Sequence, residues 1–162
     1  MAARRFSDIR TIVVPLVFVM LVPPAASAGG LFSTLDGAWH GGGKVKMVSG
    51  NTEAIKCKGY YNAKDGGAGL SIAISCANAS VKINMRANLT DAGGKVTGTW
   101  EEREFNQTGE IMGKASADRL ALTFAGGITG TLSISTAGAQ QTVSISTGGP
   151  GFTGVNLEFS KG

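Results

Sequence analysis

The sequence predicts an all-β protein, a single antiparallel up-and-down barrel of about ten short strands. Apolar and polar residues alternate in short runs, clusters of Gly, Asn, Asp and Ser separate these runs, and a sustained helical i, i+3, i+4 stripe is absent. Short connections favour pairing of neighbouring strands, and a long meander must close or add a second sheet to hide its edges. A β-sandwich is the alternative. An outer-membrane barrel, which would need longer strands and aromatic girdles, comes third.

Residues 1–28 are predicted to be a signal peptide outside the fold. A basic start is followed by an apolar run over 11–22 and by Ala26-x-Ala28, which fits a signal-peptidase site. A membrane-spanning helix needs about 20 apolar residues, so this run is too short to be one. We therefore expect an exported protein, periplasmic or secreted, whose barrel domain is 29–162.

The predicted strands each present apolar residues on one face and polar residues on the other. The first strand begins from Gly37-Ala38-Trp39. Val45 then shares the face of Trp39, whereas Lys44 and Lys46 point the other way. The ten predicted strands are 38–47, 53–62, 69–77, 81–89, 95–103, 109–116, 119–125, 130–136, 141–147 and 154–160.

The two cysteines of the chain are expected to form one disulfide, because an even count in an exported protein favours pairing. A turn centred between Gly66 and Gly67 places Cys57 directly opposite Cys76 in the hairpin of the second and third strands. Opposed residues of a non-hydrogen-bonded pair lie close enough to be bridged. The alternative is two unrelated buried thiols.

The same register argument extends to later hairpins. Across the turn at 91–94 it pairs Met85 with Trp100, and a tight turn at Ala117-Asp118 sets the sixth strand against the seventh. Many inward positions are glycine. Glycines inside strands mark bends or close approach, and they can also leave space for a ligand.

The opening Gly37-Ala38-Trp39 of a secreted antiparallel barrel resembles the Gly-x-Trp of lipocalins and their calycin relatives. The resemblance implies that Trp39 packs across the closed end as a plug and that the interior holds a small, usually apolar ligand. It also implies a basic partner for the Trp after the last strands, for which Lys161 is the only candidate. Neither the helix that follows the barrel in lipocalins nor the helical lid of the fatty-acid-binding branch is indicated.

These observations favour a non-enzymatic binding protein that carries a small apolar molecule. The expected pocket residues are Tyr61, Met85, Trp100 and Phe124. The alternative is a protein-binding module, such as a periplasmic protease inhibitor, whose flexible 29–33 segment enters a partner's cleft.

A basic face is predicted on the outside of the first four strands. Such a face can attract an anionic surface or simply keep a sheet soluble, and it suggests an envelope-associated structural protein as a further alternative. Because no aromatic residue except Tyr60 interleaves with it, no nucleic-acid partner is expected. The residues of the basic face are Lys44, Lys46, Lys56, Lys58, Lys82 and Arg86.

Catalysis is not indicated by the residues available. His40 is the only histidine, and alternation points it outward. Of the acidic cluster near one hairpin, only Glu102 falls on the face of Trp100, so a catalytic carboxylate pair is not expected. The glycine pattern at 149–154 lacks the helix of a dinucleotide site. We expect a monomer with no catalytic residue, metal or cofactor.

Overall fold

In the computed structural model, which describes residues 30–149 and 151–162, ten antiparallel strands close into one barrel. Sequence neighbours pair throughout, and β1 completes the barrel by pairing with β10. The predicted all-β class and up-and-down topology are confirmed, and the sandwich alternative is excluded. The predicted signal peptide, 1–28, lies outside the described residues. The strands are β1 (Gly37–Met47), β2 (Thr52–Lys64), β3 (Gly69–Ala77), β4 (Lys82–Ala92), β5 (Lys95–Glu102), β6 (Gln107–Ala115), β7 (Arg119–Gly126), β8 (Gly130–Ala137), β9 (Gln140–Thr147) and β10 (Phe152–Lys161).

The β2–β3 hairpin has the predicted register. Cys57 pairs with Cys76, their Cα atoms are 4.1 Å apart, and a disulfide joins them on the buried face. The predicted bridge is therefore confirmed, and the alternative of two unrelated thiols is excluded. The β6–β7 hairpin also has the expected pairing, with Gly113 opposite Leu122.

The β4–β5 hairpin differs from the predicted register by two residues. The expected pairing of Met85 with Trp100 is wrong, because Met85 pairs with Glu102. The turn is centred between Gly93 and Gly94, which both have positive φ. A tight type I′ turn needs two such residues, and glycine adopts this conformation without strain. Since the shift is even, the predicted inward face is unchanged.

A short helix that was not predicted, α1 (Leu31–Leu35), precedes the barrel. Leu31 and Phe32 are only 2% and 1% exposed and belong to the same hydrophobic core as the strands. The expectation of a flexible 29–33 segment is therefore wrong for its described residues. No helix within residues 30–149 and 151–162 is long and apolar enough to cross a membrane.

Trp39 lies at the end of the barrel where β1 begins, which we call the closed end. Its side chain is fully buried, and its indole Nε1 donates a hydrogen bond to the Leu35 carbonyl oxygen at 2.7 Å. The Lys161 Nζ lies 5.5 Å from the centroid of the indole and donates to the Thr34 carbonyl oxygen at 3.1 Å. The indole of Trp39 and the side chain of Lys161 thus connect β1 and β10 to α1.

Glycines allow close approach of the strands where β1 meets β10. A Cβ at Gly43 would lie 1.9 Å from the Asn156 carbonyl oxygen, and one at Gly41 would lie 1.9 Å from the Glu158 carbonyl oxygen. No side chain fits between strands at such distances. The sequence left open whether interior glycines allow bends and close approach or leave space for a ligand. Gly41 and Gly43 allow the close approach of β1 and β10.

Candidate functional site

The barrel encloses a cavity of about 450 Å³. Its lining includes Phe105, Ile128 and Gly151, which belong to the connections at the end opposite α1. We call this end the mouth. The cavity therefore runs from the mouth into the barrel, and the closed end seals the other side. Its volume lies within the roughly 300–1,000 Å³ of small-molecule sites in proteins.

The walls of the cavity are almost entirely apolar. Strand alternation places the inward side chains of opposite walls in contact with this space, while the outward side chains face solvent. Cys76 of the disulfide is also among the lining residues. Representative wall residues from five strands are Val45, Ile55, Ile74, Leu122 and Val143. Such a surface can bind an apolar molecule mainly through the hydrophobic effect.

Three of the four predicted pocket residues lie together on this cavity: Met85, Trp100 and Phe124 all line it. The rings of Trp100 and Phe124 pack edge to face with their centroids 5.8 Å apart. The indole Nε1 of Trp100 donates to the Ala125 carbonyl oxygen at 3.3 Å. The ring contact and this hydrogen bond therefore hold the aromatic pair in position on the cavity wall.

Tyr61, the fourth predicted pocket residue, does not line the cavity. It points inward as alternation predicted, but it lies near the closed end, where its ring packs edge to face against Trp39 with centroids 6.3 Å apart. Its hydroxyl donates to Gln141 Oε1 at 3.0 Å. Burial raises the pKa of Tyr61 far above its ordinary value. Strand alternation predicts whether a side chain points into or out of the barrel, but not how far along the barrel axis it lies.

Glu102 is the one ionisable residue lining the cavity in the described part of the chain. It is 9% exposed. Its Oε1 accepts a hydrogen bond from the backbone N–H of Asn84, and its Oε2 accepts one from the backbone N–H of Phe105, both at 2.7 Å. Sequence reasoning placed Glu102 on the face of Trp100 without assigning it to the pocket. Its position on the inward face of β5 was the signal that could have assigned it to the pocket.

The six residues of the predicted basic face are all exposed on the outside of the barrel. Lys82 forms an ion pair with Glu104, with Nζ and Oε1 3.1 Å apart, and Arg86 lies opposite Glu101 in the β4–β5 ladder. The ion pair and a hydrogen bond from Asn84 lower the pKa of Glu104. The four lysines of β1 and β2 make up the rest of the face: Lys44, Lys46, Lys56 and Lys58.

Metal-ligating side chains do not converge in the part of the chain that the structure describes, where no three His, Cys, Asp or Glu residues could hold an ion. His40 is exposed and lies opposite Lys58 in the β1–β2 ladder. The predicted absence of metal and cofactor stays a prediction.

The fold is similar to that of solved structures with very different sequences. Rv2717c from M. tuberculosis matches with a TM-score of 0.62 at 14% identity, covering 80% of this chain and 94% of that chain. The S-type phycobiliprotein lyase CPES from Guillardia theta matches with a TM-score of 0.56 at 10% identity, covering 81% and 90%. These matches support a lipocalin-like, calycin-type barrel fold. No protein-family model and no curated protein sequence matches the chain.

Proposed function

We propose that this protein is a non-enzymatic carrier that holds a small apolar molecule inside the barrel. The observation that carries the proposal is the cavity of about 450 Å³ with apolar walls and a single ionisable residue among its described lining. Apolar surface removed from water contributes roughly 25 cal/mol per Å², so a ligand that fills such a space needs few polar contacts to bind.

The similarity in fold supports this proposal at a coarse level. One of the similar structures is named a lyase, but an enzyme site is recognised by a nucleophile, acid or base together with groups that position it and stabilise developing charge. In the described lining, Glu102 has no ionisable partner in the cavity. We therefore favour carriage over catalysis.

Binding to the cavity can be tested with a neutral naphthyl dye whose fluorescence rises in apolar surroundings. Leu132 lines the cavity, and its neighbour Thr131 is exposed on the outer face of β8. Leu132→Trp should fill part of the cavity and weaken dye binding by at least about tenfold, a difference of 1.4 kcal/mol. Thr131→Trp, which adds an indole to the same strand, should leave binding unchanged. Equal binding by wild type and both variants would place the dye elsewhere and count against the proposal.

The natural ligand can be sought by native mass spectrometry of protein purified from its own source. A small molecule that co-purifies with wild type and is lost from Leu132→Trp would identify the occupant. The protease-inhibitor alternative loses its main support, because Leu31 and Phe32 are buried in the core. It stays a proposal that a periplasmic pull-down would test.

The exposed lysines of β1 and β2 keep a second proposal open, an envelope-associated protein that contacts an anionic surface. Opposite charges attract only within about a Debye length, roughly 8–10 Å at ordinary salt. Binding to anionic vesicles should therefore fall steeply with added salt. Equal retention at low and high salt would argue against this contact.

A further inference from the structure

Glu102 is a buried carboxylate at the mouth of an apolar cavity. It ends β5 and pairs with Gln107 at the start of β6, so both polar residues lie at the same point of the wall. Farther into the barrel the lining is apolar. The cavity is therefore amphipathic along its length, with an apolar interior and a negatively charged point near its entrance.

Two cations at this end of the barrel, Arg103 and Lys82, are engaged on the outside. Arg103 Nε lies 2.7 Å from Glu101 Oε1, and Lys82 pairs with Glu104. In the described part of the chain, Glu102 accepts hydrogen bonds from the two backbone N–H groups and forms no ion pair with either cation. No Lys or Arg occurs in the described lining. A ligand carboxylate or phosphate in the cavity would thus meet a like charge and no compensating cation.

The two backbone N–H groups hold the carboxylate in one orientation and leave capacity for a ligand. A carboxylate has about four lone-pair sites, and two of them are occupied here. A donor on a ligand can use a further site without displacing either backbone bond. Hydrogen bonds between two charged groups are roughly twice as strong as neutral ones, and this one would form in partly dehydrated surroundings.

We propose that the carried molecule is an amphiphile with an apolar body and a cationic amine, which enters body first and places its amine on Glu102. This inference rests on the proposed carrier function and narrows its ligand class. It assigns Glu102 as the residue that selects ligands by charge. It also predicts that fatty acids and other anions with an apolar body bind weakly.

Three probes with the same alkyl chain test the charge preference: octylamine, octanol and octanoate, each competing with the neutral naphthyl dye at neutral pH. Octylamine is protonated there, since alkylamines titrate near the lysine pKa of about 10.4. Octylamine should compete at least about tenfold better than octanol, and octanoate should compete worst. Equal competition by all three, or a preference for octanoate, would overturn the inference.

Glu102→Gln should abolish the preference for octylamine over octanol while dye binding persists. Glu110→Gln, an exposed residue on β6, is the matched control and should keep the wild-type ranking. A variant of Glu102 that keeps the preference would also overturn the inference. If Glu102→Gln unfolds, the order in which the three probes compete on the wild-type protein still tests the inference. Failure of the dye itself to bind would refute the carrier function, which separates the two outcomes.

Discussion

The indole of Trp39 is held at the closed end by contacts on three sides. Its N–H donates to the Leu35 carbonyl oxygen, the Lys161 ammonium lies 5.5 Å from the ring centroid, and the Tyr61 ring packs edge to face against it. A buried aromatic residue with a satisfied polar atom stabilises a core without the cost of a lost hydrogen bond. Tyr61 therefore belongs to the packing of the closed end, and its ionisation should report on that packing.

Replacing Tyr61 with Phe should lower the free energy of unfolding at neutral pH by about 1 kcal/mol, because Gln141 loses its hydrogen-bond partner. The Gln141 Nε2 is already buried without a partner, so the variant leaves both amide atoms unsatisfied. Denaturant titrations of the two proteins measure the difference.

The same pair of proteins should respond differently to alkaline pH. In the unfolded chain Tyr61 loses its proton near pH ~10, whereas burial raises its pKa in the fold. The stability that depends on the neutral phenol is thus complete below about pH 10 and is lost as pH rises toward the folded pKa. Wild type should lose more stability than Tyr61→Phe between about pH 9 and 11. Tyr60→Phe, at a residue 56% exposed, should follow wild type. Parallel curves for all three would contradict the prediction.

At the scale of elements, hairpin register was predictable where the sequence offered an independent constraint. In β2–β3 the two cysteines had to share a face, and only one register places them opposite each other. In the β4–β5 hairpin the turn could be centred on either side of Gly93. It is centred between Gly93 and Gly94, because both glycines adopt the positive φ that the tight turn needs. The closing β1–β10 pair has no turn, so its register depends on completion of the whole barrel.

Helix α1 could not be predicted because its five residues are too few to show a helical period. It is stabilised by burial and not by intrinsic propensity, since Leu31, Phe32 and Leu35 all lie in the core. A segment whose sequence suggests a free leader can thus fold against a barrel when its apolar residues pack on the core at the closed end.

The disulfide constrains one hairpin. We expect Cys57→Ala, Cys76→Ala to lower the free energy of unfolding by about 2–4 kcal/mol without changing the fold, because the barrel order does not depend on this link. Alanine avoids burying two hydroxyl groups. Peptide mapping of the purified protein under non-reducing conditions should first recover the bridge. Denaturant titrations and far-UV circular dichroism then give the cost and the fold. A chain that cannot fold would show that the bridge is required.

At the scale of the whole molecule, a pocket was expected, but its extent and depth along the barrel were beyond prediction from sequence. Parity correctly gave Met85, Trp100 and Phe124 as inward, but whether inward side chains fill a barrel depends on its radius and on the size of residues across the interior. The closed end is filled by Trp39, Tyr61 and α1, whereas at the mouth the cavity opens between connections that carry Phe105 and Ile128. An end-to-end difference of this kind arises from residues far apart in the chain, so local patterns do not show it.

Closure of the barrel should depend on the small residues where β1 meets β10. Gly43→Ala would place a Cβ 1.9 Å from the backbone oxygen of Asn156, so one strand must move and ladder hydrogen bonds must lengthen. We expect the free energy of unfolding to fall by more than about 2 kcal/mol, as for other overpacked or strained sites. The matched control is Gly154→Ala on β10, where the nearest atom would be 3.4 Å away. It should be neutral or stabilise by up to about 1 kcal/mol, because alanine restricts the unfolded chain more than glycine does. Urea titrations of both variants measure the difference, and equal stability would mean that the barrel closes without close approach at Gly43.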